Sequence, residues 1–334
     1  MNKKVKGILL YSGGLDSLLA AKVLMEQDID LIGFHCVLPF VAPDYDFAKL
    51  EASQLAEQIH LPLKYYRCGM EYIEILKDPP HGYGKNMNPC VDCKIHFILK
   101  AADYMREIGA DFVATGEVVG QRPMSQLKHT INHIEKSTHL QGRLVRPLSA
   151  KLLKPTMPEM EGIINREALL DINGRSRKRQ FELARQYNIN EYASPSGGCL
   201  LTDKNIAVRL RDLFTFHEDA DDIDVYHLTI GRHFRIHDKA KVIVSRNEPE
   251  TNELVKYFSR ADYFFKSTFK GPALIIKGAL KSKEIPFVCS ILVRYGKNIT
   301  SADHIEIFNK GSRIDTISVM SPIEDSDLQQ YLIQ

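Results

Sequence analysis

The stretch Tyr11-Ser12-Gly13-Gly14-Leu15-Asp16-Ser17 joins an apolar run over residues 5–11 to an amphipathic one over residues 15–25 through two adjacent glycines. That pattern predicts a strand, a tight turn and the start of a helix. Paired glycines allow the sharp turn and let backbone N–H groups approach an anion, while the new helix adds its positive amino-terminal end. Phosphate is the guest that suits such a turn. Ser12 and Ser17 add hydroxyl donors, whereas Asp16 disfavours a bare anion and so points to Mg²⁺ or a reacting group beside it. No G-x-x-x-x-G-K-[ST] string occurs, which excludes a Walker A loop.

Downstream, strand-like segments over residues 30–38, 61–68, 111–116 and 144–148 alternate with helix-like ones over 46–60, 92–108, 158–165 and 176–187. Alternation of this kind predicts an α/β domain with a parallel sheet covered by helices on both faces and ligands at the carboxyl ends of the strands. His35, Thr115 and Gly116 would then border a ligand held at that edge. A partly buried histidine with one backbone partner, and a plain strand-ending turn, explain these residues equally well. A helix over 205–216 is followed by an acidic run at 218–224 that reads as a linker. Strand-like segments at 226–230, 241–245, 273–276, 287–295 and 304–308, with one helix over 249–259, predict a smaller α+β domain. The expected division is therefore 1–216, a linker at 217–224, and 225–334.

A chain of 334 residues can hold two such domains, and its net charge of +2 neither requires nor excludes a nucleic-acid partner. Local patches carry that question. Arg175, Arg177, Lys178 and Arg179 crowd the start of a helix, where cations are unfavourable, so they are expected to face a polyanion. The charged amino-terminal residues lead straight into the glycine turn, and no apolar run is long enough to span a bilayer, so no membrane association is expected and a cytoplasmic location is. Six cysteines without a secretory signal read as reduced thiols, some of them ligands. Cys36, Cys68 and Cys289 lie in strand-like runs and are expected in the core.

The loop at residues 79–89 delivers Cys90-Val91-Asp92-Cys93 to a helix start, where the helix dipole should favour both thiolates. Cys199 sits in a second Gly-Gly turn within residues 194–203. Three soft ligands suit Zn²⁺ completed by a residue such as His96, or an iron–sulfur cluster that leaves one iron without a protein ligand. A dithiol relaying sulfur as a persulfide is the third option, and spacing does not choose among them.

Ser12-Gly13-Gly14-Leu15-Asp16-Ser17 resembles the PP-loop of N-type ATP pyrophosphatases. Asn88-Pro89-Cys90-Val91-Asp92-Cys93-Lys94 and Gly198-Cys199-Leu200-Leu201-Thr202 resemble the two cysteine segments of PP-loop tRNA thiouridine synthetases. That resemblance implies an adenine nucleotide alpha hydrolase-like fold and the cofactors ATP and Mg²⁺. It also implies adenylation of a uridine carbonyl oxygen, followed by displacement of AMP by sulfur. Asp16, Cys90 and Cys199 would be the catalytic residues, and a sulfide or persulfide donor such as a cysteine desulfurase would supply the sulfur. With a cysteine also at position 90, the chain looks like the members that bind a [4Fe-4S] cluster through three cysteines. Residues 228–235 and 242–248 resemble the NFACT-R RNA-binding module, which makes Arg232, His233, Arg235 and Arg246 the phosphate-contact candidates for tRNA. Two other readings remain open: a PP-loop ligase or amidotransferase with structural zinc, and an RNA-binding protein switched by ATP.

Overall fold

The computed structural model describes residues 4–193 and 199–334, which divide into two compact units. The first comprises the chain up to Leu38 together with Asp44–Cys199. Its strands are β1 (Lys6–Leu10), β2 (Asp30–Val37), β3 (Leu63–Arg67), β4 (Phe112–Thr115) and β5 (Leu144–Val145). All pair in parallel, in the order β3-β2-β1-β4-β5. The helices are α1 (Leu15–Met25), α2 (Glu51–Glu57), α3 (Met70–Lys77), α4 (Cys90–Ile108), α5 (Lys128–Ser137), α6 (Met157–Met160) and α7 (Lys178–Gln186).

Successive residues of β1 feed opposite faces of this sheet. Leu9 packs with Leu18, Ala52 and Leu183 under α1, α2 and α7, whereas Ile8 packs with Ile98, Ala102 and Ile134 under α4 and α5. Burial on both sides is why the strand is apolar throughout rather than alternating. Helix α4 runs until Gly109, whose φ of 64° places it in the left-handed conformation that caps a helix cheaply only as glycine. The chain reverses its direction of winding between β1 and β4, and a sheet of this type binds ligands at the carboxyl edge of that switch.

The second unit comprises Leu200–Gln334 with Pro39–Pro43. It contains α8 (Lys204–Phe216), α9 (Asp222–His227), β6 (Arg232–His237), β7 (Ala240–Val244), α10 (Glu248–Lys256), β8 (Tyr263–Ser267), β9 (Ala273–Gly278), α11 (Ile285–Tyr295), β10 (His304–Asn309), β11 (Ser312–Ser318) and α12 (Asp325–Gln329). Its strands form an antiparallel sheet in the order β11-β10-β8-β9-β7-β6. Phe234, Phe265 and Leu274 bury one face against Leu292 of α11, while Ile243, Phe264 and Ile275 bury the other against Tyr226 and Leu254.

Three expectations for this half change. The division falls between Cys199 and Leu200 rather than at 216, because Asp212 of α8 pairs with Arg235 and Lys241 of the second sheet. The acidic run is not a loose linker: Asp221 accepts from the amides of Ile223 and Asp224 and caps α9, which takes the place of the strand expected at 226–230. Residues 287–295 form α11, a helix with Pro286 in its first turn, where a proline costs no hydrogen bond.

Candidate active site

The glycine turn after β1 has the geometry its sequence requires. Gly13 has φ 77°, and a Cβ there would come 3.0 Å from the Cα of Ala52. Gly14 precedes α1, and its carbonyl accepts both the Ser17 amide at 3.0 Å and the Ser17 hydroxyl at 2.8 Å. Ser12 and Ser17 face each other across the turn, with their hydroxyl oxygens 3.5 Å apart. At the end of β4, a Cβ on Gly116 would lie 2.7 Å from the Ser17 nitrogen, so β4 meets α1 backbone to backbone. Thr115 is buried directly before it. His35 stands beside the turn with Nδ1 2.9 Å from the Tyr11 carbonyl, and burial lowers its pKa.

Asp16 projects from the first turn of α1. Its Oδ2 accepts from Gln121 Nε2 at 2.6 Å, and Gln121 Oε1 accepts from Gln180 Nε2 at 3.0 Å. Asp16 Oδ1 and Gln180 Oε1 are buried with no partner, as are Nε and Nη1 of Arg177. Unsatisfied buried polar atoms are costly, and each of these could be satisfied by a polar guest. A carboxylate oxygen suits Mg²⁺ and a guanidinium suits phosphate. Gln121 and Gln180 were not among the sequence candidates, and no local pattern marks them.

The thiols divide into two groups. Cys90 donates to Asn88 Oδ1 at 3.1 Å, and Cys93 lies 3.0 Å from the Tyr72 hydroxyl. Burial, followed by the nearby Cys199 and Cys90 sulfurs, pushes the Cys93 thiol up to about 12. The helix dipole, expected to favour its thiolate, is outweighed. Cys199 is therefore within electrostatic range of Cys93, although residues 194–198 of its turn lie outside the described residues. Among the described residues no three His, Cys, Asp or Glu side chains are gathered as a metal site. Three uncrosslinked thiols, two of them acting on the third, are nonetheless a donor set that fits an iron–sulfur cluster. The second group is Cys36 and Cys68: Cys68 is fully buried, as expected, but the neighbouring Cys36 thiol and then His96 lower it to about 7 against that burial. Only Cys289 sits in a purely apolar core.

Helix α4 is fastened to β4 by charge. Lys94 and Arg146 both pair with Glu117, and the Arg146 contact is 3.1 Å. Burial would raise the Glu117 pKa, but these two cations hold it down at about 2.

The basic candidates fare unequally. Arg175, Lys178 and Arg179 are exposed at the start of α7, and Arg177 is half-buried there. In the second unit, Arg232 stacks 4.6 Å over Tyr295 and lines an open cleft of ≈ 420 Å³ with Asn205, Arg209 and Gln334. Arg246 forms a surface pair with Glu250. Arg235 is bound by Asp212 at 3.0 and 2.7 Å and stacks on Phe216, so its guanidinium serves the domain's own packing. His233 is fully buried and bonded to the Ile230 carbonyl, which removes it from any RNA surface.

Residues 231–332 match the NFACT protein RNA binding domain. The chain is 32% identical over 112 residues to the tRNA-specific 2-thiouridylase MnmA of Desulfosudis oleivorans, covering 32% of this chain and 30% of that protein. It is 33% identical over 137 residues to MnmA of Clostridioides difficile, covering 35% of each. It thus spans about a third of the length of the curated relatives it matches. Among solved structures, the U34-tRNA thiolase NcsA of Methanococcus maripaludis with its [4Fe-4S] cluster aligns at 18% identity and a TM-score of 0.32, covering 67% of this chain and 69% of that one. No helix among the described residues is long and apolar enough to cross a membrane. The chain is therefore similar to PP-loop tRNA thiolation enzymes and carries, over residues 231–332, a domain that matches the NFACT RNA-binding family.

Proposed function

We propose that this protein is an ATP-dependent tRNA sulfurtransferase. The uridine carbonyl oxygen attacks the α-phosphorus of ATP, pyrophosphate leaves, and sulfur then displaces AMP from the activated carbon. One observation carries this reading: a phosphate-type turn with an unpartnered Asp16 oxygen belongs to the same parallel-sheet unit as Cys90, Cys93 and Cys199, the first and last of which act electrostatically on Cys93. Backbone N–H groups of the first turn of α1, with Ser12 and Ser17, would hold the phosphates. Asp16 would hold Mg²⁺ against them, oriented by Gln121. Arg177, whose buried Nε and Nη1 lack partners, would face the departing pyrophosphate.

Cys90, Cys93 and Cys199 would hold a [4Fe-4S] cluster, which when bound supplies a Lewis-acidic iron for the sulfide donor. Tyr72, bonded to Cys93, orients that thiol and keeps water from it. The basic start of α7 and the Arg232–Arg209 cleft of the NFACT-type domain are the surfaces for tRNA phosphates.

The test incubates anaerobically purified, reconstituted protein with tRNA, ATP and sulfide. Release of AMP and pyrophosphate that depends on tRNA, with a thiolated uridine detected by mass spectrometry of the nucleosides, is the expected result. ATP cleavage without any sulfur gained by tRNA would overturn it.

A further inference from the structure

Outside the thiol group, two imidazoles converge. His81, in the loop ahead of α4, places Nε2 2.7 Å from Nε2 of His133 on α5. The rings meet edge to face, with centroids 4.8 Å apart. On its other side, His81 Nδ1 lies 2.6 Å from Asp92 Oδ1, and the His81 amide donates to Asp92 Oδ2 at 3.1 Å. Asp92 is only 6% exposed at its side chain, so its carboxylate is committed to this histidine. A carboxylate bonded to Nδ1 fixes the tautomer that leaves the Nε2 lone pair outward, which is the outer-shell arrangement of metal-ligating histidines. The Ser137 hydroxyl also lies 3.5 Å from His133 Nε2. His129 precedes His133 by one helical turn on the same exposed face of α5.

We propose that His81 and His133, completed by His129, hold one divalent transition-metal ion of the zinc class, separate from the three-thiol site, with Asp92 as the positioning residue. Imidazole nitrogen suits Zn²⁺, Co²⁺ and Ni²⁺. Two nitrogens on a tetrahedral ion stand about 3.3 Å apart, so the rings must separate by roughly 0.6 Å, a small movement for side chains at the surface. The third imidazole must turn inward, since no three ligands are gathered among the described residues. A bound ion would tie the loop of residues 79–89 to α5 and, through Asp92, to the first turn of the helix that carries Cys90 and Cys93.

Cobalt distinguishes the two sites, because thiolate ligation gives an intense near-ultraviolet charge-transfer band and imidazole ligation does not. Metal-free full-length protein with Cys90, Cys93 and Cys199 changed to serine is titrated with Co²⁺. One equivalent bound, with visible bands and no thiolate band, is expected. His133→Gln, at an exposed position, should weaken binding at least tenfold, and Asp92→Asn roughly tenfold with the visible spectrum retained. Should the serine variant fail to fold, the same nitrogen-type component is sought in the wild-type spectrum and must disappear in His133→Gln. Absence of cobalt binding without a thiolate band, or unchanged binding in His133→Gln, overturns the proposal.

Discussion

Gly116 and Ser17 touch through their backbones: a Cβ on Gly116 would fall 2.7 Å from the Ser17 amide nitrogen. The end of β4 therefore sets the position of the first turn of α1, and with it the N–H groups offered to phosphate.

Replacing Gly116 with alanine forces these two segments apart. ATP binding measured by calorimetry is expected to weaken roughly tenfold or more, equivalent to ~1.4 kcal/mol. Unchanged affinity would show that the contact is packing alone.

Asp16→Ala is expected to lower pyrophosphate release by about 10²–10³ while leaving tRNA affinity intact, since its role is electrostatic at the phosphates. Gln121→Ala should cost less, because Gln121 acts only by orienting Asp16. A pyrophosphate assay with a parallel RNA-binding measurement separates the two. Wild-type ATP cleavage in Asp16→Ala would refute the assignment of the turn.

Alanine at Cys90, Cys93 or Cys199 is expected to remove bound iron and tRNA thiolation together, as a shared cluster demands. A persulfide relay needs only two of the three thiols. Full activity in any one variant, or an active wild type free of iron, contradicts the cluster.

Glu117 should make the first domain acid-sensitive. Its folded pKa, about 2, lies below the ordinary carboxylate value, so the stabilisation is complete above about pH 5 and is lost progressively as pH falls toward 2. Glu117→Gln should remove that dependence and cost about 3 kcal/mol, because Lys94 and the buried Arg146 would lose their shared anion and Arg146 would keep Glu135 alone. Urea unfolding at neutral and acid pH reads both effects.

Asp212→Asn is expected to destabilise the second domain by about 3 kcal/mol, stranding the buried Lys241 and Arg235. Hydrogen exchange should speed up in β6 and β7 while ATP affinity stays unchanged. Equal loosening of both domains would contradict a local origin.

The strand–glycine turn–helix at residues 11–17 was legible because its conformation is set locally, by seven consecutive residues with two glycines. Gln121 and Gln180 were not, since they reach Asp16 and each other across 105 and 59 positions of chain. The apolar run at 287–295 carries β-branched residues that fit a strand as well as a buried helix, and Pro286 at its head was the available signal for the helix. His233 sits in a Gly-Arg-His-Phe-Arg string that reads as basic surface, yet it belongs to the buried side of β6. For Cys93, the helix start and its grouping with Cys90 and Cys199 were visible in the sequence, but its burial and the influence of Cys68 were not.

The Gly13 carbonyl accepts the Ala193 amide at 3.2 Å, and Gly14 bridges to Ala193 beside it. The turn proposed to hold phosphate is thus braced by Ala193, a residue from the far end of the first unit rather than from its neighbours in sequence. A shift of Gly13 on phosphate binding would strain this bond, so the Ala193 amide would report occupancy of the turn. Hydrogen exchange at Ala193 with and without a non-hydrolysable ATP analogue would register this coupling, and identical rates would dismiss it.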